Sequence, residues 1–127
     1  MKKTSKIRVR ADGAAGFFAR AREHGRRLDR RQELPREITV SFENASDMLR
    51  VLSAERTRLL RVTRSNQPTA LSELAAELKR DTRAVSRDVD LLEKFGLLET
   101  LYETNPGHGR RRIVAPRAAS YQLLATI

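Results

Sequence analysis

The sequence predicts a mainly α-helical protein with a small β-hairpin. Apolar residues recur at helical spacing within residues 71–95, and two further amphipathic stretches lie at 14–31 and 54–64. Residues 97–103 instead have strand character, residues 105–109 are dense in turn formers, and residues 110–114 can return as the second strand of a hairpin. One more short strand is expected at 38–42, where β-branched residues alternate with polar ones.

Residues 71–95 predict two helices separated by a tight turn. Ser72 is placed to accept a hydrogen bond from a free amide and cap the first helix, and Asp81 is the N-cap candidate of the second. Gly96 tolerates the left-handed conformation that commonly ends a helix, so the second helix should span about residues 82–95. The first helix has apolar residues at i, i+3, i+4 and i+7, namely Leu71, Leu74, Ala75 and Leu78.

The second helix separates a polar face from an apolar one. The apolar side carries Val85, Val89, Leu92 and Phe95, and the polar side carries Arg83, Ser86, Arg87, Asp90 and Lys94. Arginine can bond guanine through two hydrogen bonds, and serine can meet either donor or acceptor edges of bases. We therefore predict that Arg83, Ser86 and Arg87 read bases in the major groove of DNA. The alternative is a helical hairpin whose polar face is only solvated.

Two aspartates of this helix need separate explanations. Asp88 falls on the apolar side, and a half-buried carboxylate needs a partner. We predict a structural ion pair or hydrogen bond for it, with an arginine between Arg56 and Arg64 as the candidate. Asp90 lies on the exposed face, where it would repel phosphate, hold a neighbouring arginine or accept a hydrogen bond from a cytosine amino group. The sequence leaves these three alternatives open.

A basic hairpin follows the second helix. Residues 105–109 are dense in turn formers, and Arg110, Arg111 and Arg112 come directly after them. With this ordering the sequence resembles the winged helix-turn-helix regulators of prokaryotes, which implies a DNA-binding domain. Their pattern of Ser-x-Leu-Ala, a Val-Ser-Arg-type recognition helix and Gly-Leu-Leu before a basic wing occurs here at 72–75, 85–87 and 96–98.

The mechanism expected for such a protein uses a homodimer. Two recognition helices would enter successive major grooves of a pseudo-palindromic operator in double-stranded DNA. Contacts of the helix to the DNA backbone are expected from Lys79, Arg80 and Thr82. The wing is expected to hold backbone or minor groove through His108, Arg110, Arg111 and Arg112.

The N-terminal layout resembles a narrower group, the winged-helix regulators that are encoded beside a small toxin and are thought to act as its antitoxin. The resemblance covers roughly residues 17–114 and includes a basic amphipathic helix followed by motifs at 37–43, 48–52 and 55–60. It implies an autorepressor whose other surface neutralises a cognate toxin. The N-terminal helix either gains order from a partner or packs on its own domain. Its candidate partner-binding residues are Phe17, Phe18 and Leu28.

Composition favours a nucleic-acid partner and argues against other classes. Lys and Arg number 26 against 16 Asp and Glu, and the formal net charge of +10 favours a polyanion. There is no cysteine, and the two histidines lack carboxylates at metal-ligand spacing, so we expect no metal, no cofactor and no enzymatic activity. No apolar run approaches the roughly 18 residues of a membrane helix, so we expect no membrane partner and a cytoplasmic location.

Four segments are predicted along the chain. Residues 1–36 form a basic arm and helix; the arm, 1–13, is expected to be mobile, either disordered or in contact with DNA, although Ile7 and Val9 could form a short strand if another strand supplies an edge. Residues 37–52 form a strand and a short connecting helix, and 53–116 form the winged helix-turn-helix domain. Residues 117–127 form an apolar tail that packs on the domain or makes a dimer seam. Two alternatives to sequence-specific regulation stay open. The N-terminal region could neutralise a toxin while nucleic acid is bound non-specifically, or the winged domain could bind RNA.

Overall fold

The chain has a mixed α/β fold, which corrects the mainly α-helical fold expected from the sequence. The computed structural model describes residues 4–30, 37–66, 68–107 and 109–126, without the side chains of residues 4, 14, 15, 17, 28, 29 and 105. Within these ranges, five helices accompany two three-stranded sheets, one parallel and one antiparallel. The elements in chain order are β1 (Thr4–Ala11), α1 (Gly13–Asp29), β2 (Glu37–Ser41), α2 (Ala45–Val51), α3 (Ala54–Ser65), β3 (Thr69–Ala70), α4 (Leu71–Leu78), α5 (Thr82–Lys94), β4 (Leu98–Asn105), β5 (Gly109–Pro116) and β6 (Ala118–Ala125).

The parallel sheet has the strand order β2-β1-β6 and places β1 at its centre. Ile7 of β1 lies opposite Ile38 on one side and opposite Tyr121 on the other. The expectation of a mobile arm is therefore wrong for residues 4–11. A short strand is marginal alone, but β1 has a partner along both edges, and its side chains Ile7 and Val9 are fully buried.

Helix α1 is the crossover that two adjacent parallel strands require. It leads from β1 to β2, and its Arg20 donates hydrogen bonds to Asp12 before the helix and to Ser41 at the end of β2. β6 closes the opposite edge of the same sheet. Strands from the predicted segments 37–52 and 117–127 thus pair with the central strand β1 of segment 1–36, and the expected apolar tail packs on the body of the protein.

The C-terminal half of the chain follows the local predictions closely. α3 begins after Ser53 and α5 after Asp81, and each of these side chains accepts a hydrogen bond from an amide of the helix that it caps. The hairpin is present as β4 and β5, and β3 pairs with β5 to complete the antiparallel sheet. The prediction for Ser72 is wrong, because α4 starts directly after β3 with Ala70 at the N-cap position and no side-chain hydrogen bond there.

One hydrophobic core joins the two sheets and the helices between them. Phe42, just after β2, contacts Phe95 at the end of α5, with ring centroids 5.2 Å apart. None of the described helices combines the length and the apolar character that crossing a membrane requires. The largest fully buried apolar side chains of the described residues are Ile7, Leu59, Leu74, Leu78, Leu92, Leu97, Leu98, Val9, Val85, Val89 and Val114.

Tyr121 of β6 connects the parallel sheet to the start of the hairpin. Its hydroxyl donates to the Leu97 carbonyl at 2.5 Å and accepts from the Arg117 amide at 3.1 Å. Burial raises the pKa of this phenol above its usual value of about 10, because the phenolate would lose its hydration. The Arg117 amide, which would stabilise the phenolate, offsets part of that rise.

Tyr121 is expected to make folding less stable in alkaline solution. Below about pH 10 the phenol is neutral in both states. Above it, the unfolded chain releases the proton while the folded chain keeps it, so the free energy of unfolding falls by up to about 1.4 kcal/mol per pH unit until the folded pKa is passed. Urea denaturation at several pH values in this range gives the free energy of unfolding as a function of pH. Its decline with pH should be shallower for Tyr121→Phe than for the wild type, whereas Tyr102→Phe, which removes an exposed phenol, should match the wild type. Equal slopes in all three proteins would contradict this role.

Candidate nucleic-acid interface

Helix α5 presents two arginines to solvent on the side away from the core. Arg83 and Arg87 lie one helical turn apart, and both are exposed. Neither guanidinium has a partner among the described residues. The other side of α5 is buried through Val85, Val89 and Leu92. The two arginines are therefore free to contact a ligand from an element that packing holds in place.

Arg112 of β5 is held by α5 rather than by solvent. Its Nη2 lies 2.7 Å from Asp90 Oδ1 and 3.4 Å from Glu93 Oε2, and its Nη1 donates to Ser86 Oγ at 3.0 Å. Its Nε donates to Thr100 Oγ1 at 3.3 Å, and only 14% of its side chain is exposed. We use the name α5–β5 clamp for Ser86, Asp90, Glu93, Thr100 and Arg112. Of the three alternatives for Asp90, the structure shows that it holds an arginine.

The clamp limits what two predicted contact residues can do. The sequence predicts DNA contacts for Ser86 and Arg112, but in the structure these two side chains bond each other. The charge of Arg112 is balanced by Asp90, so it adds little net attraction for phosphate. Ser86 accepts a hydrogen bond from Arg112 and keeps its own hydroxyl proton as a donor. Arg112 therefore fixes the hairpin beside α5, and Ser86 retains one hydrogen bond to offer.

Arg80, in the turn before α5, is also committed to the protein. Its Nη1 lies 2.7 Å from Asp88 Oδ2, and its Nη2 lies 3.2 Å from Glu55 Oε2. Asp88 Oδ1 accepts from Arg56 Nε at 3.0 Å, which confirms the predicted ion pair between Asp88 and an arginine of α3. This network joins α3, the turn and α5. Arg80 thus positions α5, whereas the sequence predicts a phosphate contact for it.

Lys79 and Thr82 are exposed on either side of the turn between α4 and α5. Lys79 ends α4 in the left-handed region with φ 56°, and its amide donates to the Ala76 carbonyl at 3.2 Å. This conformation costs a residue other than glycine about 1 kcal/mol, and glycine is the usual residue at such an end. The exposed ammonium is consistent with the predicted contact to a DNA phosphate.

The hairpin carries two more exposed arginines close to its turn. Arg110 lies over the ring of Tyr102, with its Cζ 4.7 Å from the centroid. Arg111 Nη2 lies 3.0 Å from Glu73 Oε1 in an exposed pair, which is a kind of contact that contributes little to stability. Both cations can exchange these contacts for phosphate oxygens. His108, also predicted here, lies outside the described residues.

The predicted partner-binding residues belong to α1. Phe18 is exposed, whereas the side chains of Phe17 and Leu28 lie outside the described residues. The hydrogen bonds of Arg20 anchor α1 to the parallel sheet, so this helix packs on its own protein. Sequence reasoning missed that anchor. The available signal was Asp12, an acidic residue just before an arginine-rich helix and eight positions before Arg20.

Residues 51–117 match the model of a protein family described as HVO_A0114. The match runs from the end of α2 to just after β5 and covers more than half of the chain. It therefore contains α4, α5 and the hairpin, with every contact residue described above except those of α1. No curated protein matches the chain.

Proposed function

The chain belongs to the HVO_A0114 family, and we propose that it is a sequence-specific DNA-binding transcriptional regulator. The observation that carries the proposal is that Arg83 and Arg87, in the first half of α5, are exposed and have no partner among the described residues. The element order of residues 54–116, a helix, a short strand, two helices across a tight turn and a hairpin, supports a winged helix-turn-helix. In this arrangement α5 is the recognition helix, and β4 with β5 is the wing.

The dimensions of α5 suit the major groove of DNA. A helix with its side chains is about 10–12 Å across, and the groove is about 12 Å wide. Arg87 is four positions after Arg83, which is a rise of about 6 Å along the helix axis, and base pairs stack about 3.4 Å apart. The two arginines can therefore reach bases about two steps apart, each with paired donors that match guanine. Ser86 lies between them and keeps a donor for a neighbouring base.

Backbone contacts are available on both sides of α5. Lys79 and Thr82 are exposed at the preceding turn, and Arg110 and Arg111 are exposed on the wing. Such cations supply the sequence-independent and salt-dependent part of DNA affinity. The α5–β5 clamp keeps the wing at one position relative to the recognition helix, so both can bind without a rearrangement.

Duplex RNA fits this surface less well. The major groove of A-form RNA is deep and narrow and does not admit a helix such as α5. Repression of its own gene and neutralisation of a cognate toxin are implied by the sequence resemblance, and both stay predictions. DNA recognition by α5 is the part of the proposal that the contacts of the described residues support.

Binding to the DNA upstream of its own gene tests the proposal. Fluorescence anisotropy of the 127-residue chain at several salt concentrations should give an affinity at least about 10³-fold higher for this duplex than for a random duplex of equal length. An RNA duplex of the same length should bind no better than the random DNA. Equal affinity for the upstream and random DNA would contradict sequence-specific regulation.

A further inference from the structure

Strand β6 leaves an unpaired edge on the parallel sheet. Its inner edge pairs with β1 from Thr4 opposite Ala118 to Ala11 opposite Ala125, and no described strand lies along its outer edge. A row of unpaired backbone amides and carbonyls is a template for one more strand. Proteins usually protect such an edge with charged side chains, proline or a bulge.

β6 lacks the protection that two other sheet edges have. β2 carries Glu37 at the opposite edge of the parallel sheet, and β4 carries Glu99 and Glu103 at an edge of the antiparallel sheet. The eight residues of β6 include no charged residue and no proline, although 33% of the chain is charged. Each of the other described strands longer than two residues contains at least one charge. The β6 edge is therefore open to pairing.

Two leucines of β6 are exposed on opposite faces of the sheet. Leu123 is 39% exposed and borders a recess of about 250 Å³ against α3, which Leu60 also lines. Leu124 is 46% exposed and borders a recess of about 250 Å³ on the other face, which Gln122 also lines. Successive residues of a strand point to opposite faces. A strand added beside β6 would therefore find apolar contacts on both faces of the sheet.

We propose that the outer edge of β6 pairs antiparallel with β6 of a second copy of this chain, which makes one six-stranded sheet across a two-fold axis. Such an interface is self-complementary, because each copy offers the same strand that it receives. Two copies with a net charge of +10 each repel each other, and this repulsion is smallest where the facing strands, here β6 of each copy, carry no charge. Like charges directly opposite each other oppose strand pairing, and β6 has none to place there.

The arginines near β6 are compatible with this pairing. Arg8 and Arg10, which line the recess beside the exposed leucine on one face, lie 3.3 Å from Glu37 and 3.1 Å from Asp12, respectively. Each of these cations thus faces a carboxylate of its own chain, and Asp12 is shared with Arg20. On the other face Arg61 and Arg64 both line the recess and are exposed, so water can hydrate them. β6 is thus an uncharged strand, with cations that face carboxylates on one side of the sheet and exposed cations on the other. An uncharged partner strand fits there, and β6 of a second copy is an uncharged strand.

Pairing through β6 does not depend on DNA binding, and the two are distinguished by their opposite dependence on salt concentration. Screening weakens the repulsion between copies, so dimerisation should strengthen as salt rises from about 50 to 500 mM. DNA binding should weaken over the same range. A monomer that binds its upstream DNA specifically would overturn the β6 pairing alone. A β6 dimer without sequence preference would overturn the proposed function alone.

Sedimentation equilibrium of the whole chain tests the dimer. Leu123→Lys and Leu124→Lys together should raise its dissociation constant at least about 100-fold, because the two-fold axis brings four charges into the paired edge. Leu101→Lys on β4 and Leu49→Lys on α2 replace leucines that are 52% and 59% exposed, and they should leave the constant unchanged. A wild-type chain that is monomeric at about 100 µM would overturn the proposal. So would a dimer that the two β6 substitutions weaken no more than Leu101→Lys does.

Disulfide cross-linking tests the antiparallel arrangement. The chain has no cysteine, so single cysteines placed one at a time at residues 119–124 report on this contact alone. Only residues next to a two-fold axis approach their own symmetry mates within the roughly 7 Å between Cα atoms that a disulfide allows. Cross-linking should therefore peak at one or two neighbouring positions and fall on both sides. Uniform cross-linking would indicate parallel pairing and none would indicate another interface, and either result overturns the proposal.

Discussion

Replacement of Asp88 by alanine is expected to lower the free energy of unfolding by about 3 kcal/mol. The Asp88 side chain is 12% exposed and bridges two arginines, with Oδ1 3.0 Å from Arg56 Nε and Oδ2 2.7 Å from Arg80 Nη1. Removal of the carboxylate leaves both guanidinium groups partly buried without that counter-charge. The lower end of the usual range applies because Arg56 also donates to two backbone carbonyls. Urea denaturation followed by circular dichroism measures the change.

Glu23→Ala is the matched control for this prediction. Glu23 also contacts two arginines, Arg26 at 3.2 Å and Arg27 at 3.3 Å, but these pairs are exposed on α1. Their loss should change the free energy of unfolding by less than about 0.5 kcal/mol. Asp88→Asn keeps the shape and one acceptor oxygen, so it should fall between the two alanine variants. Equal effects of Asp88→Ala and Glu23→Ala would show that water already screens the Asp88 network.

Only one of the two arginine contacts of Asp88 could be predicted from the sequence pattern. The helical period places this carboxylate on the buried side of α5, and a buried carboxylate requires a partner. Its pairing with one of the arginines of α3 could therefore be predicted from the sequence, but the choice of Arg56 among them could not. The second partner, Arg80, could not be predicted. It lies in a turn whose path depends on the left-handed conformation of Lys79, and no local pattern indicates that conformation at a lysine.

The roles of the arginines depend on tertiary contacts that residue type does not reveal. Arg83 and Arg87 have no partner in the part of the chain that the structure describes, whereas Arg112 is paired with Asp90, a residue 22 positions away. The helical period correctly places Asp90 on the exposed side of α5. Only the folding of the hairpin against that side shows that Asp90 serves Arg112. The basic elements of the proposed interface can therefore be identified from local patterns, but cations held in the clamp cannot be distinguished in this way from the others.

The parallel sheet could not be predicted because its strands are far apart in sequence. Residues 4–11 pair with residues 118–125, and no local period indicates a partner at that distance. The alternation of Ile7 and Val9 with charged residues is a strand signal, but a strand that short is credible only once both neighbours are known. A fragment that begins near residue 53 would leave β6 without β1. The toxin-binding alternative therefore has to be tested with surface substitutions in the whole chain.

Arg87→Ala is expected to weaken binding to the upstream DNA by about 1–3 kcal/mol, roughly 5- to 150-fold in affinity, and to relax specificity at one base pair. Arg87 is exposed without a partner among the described residues, so its loss breaks no contact within that part of the protein. Arg87→Lys keeps the charge but loses the paired donors that match guanine. It should therefore recover affinity for random DNA without recovering specificity. Anisotropy titrations with single-base variants of the site measure both effects.

Two neighbouring arginines of the wing are the controls for Arg87. Arg111→Gln should weaken binding to every sequence and reduce the slope of log affinity against log salt by about 1, because it removes an exposed cation from phosphate. Arg112→Gln should lower the free energy of unfolding by about 1 kcal/mol and weaken binding without changing that slope, because Asp90 already balances its charge. Suppose that Arg87→Ala, like Arg111→Gln, lost as much affinity for random DNA as for upstream DNA. This result would contradict the division between base contact and phosphate contact. A slope change of about 1 for Arg112→Gln would instead place its guanidinium on phosphate and outside the clamp.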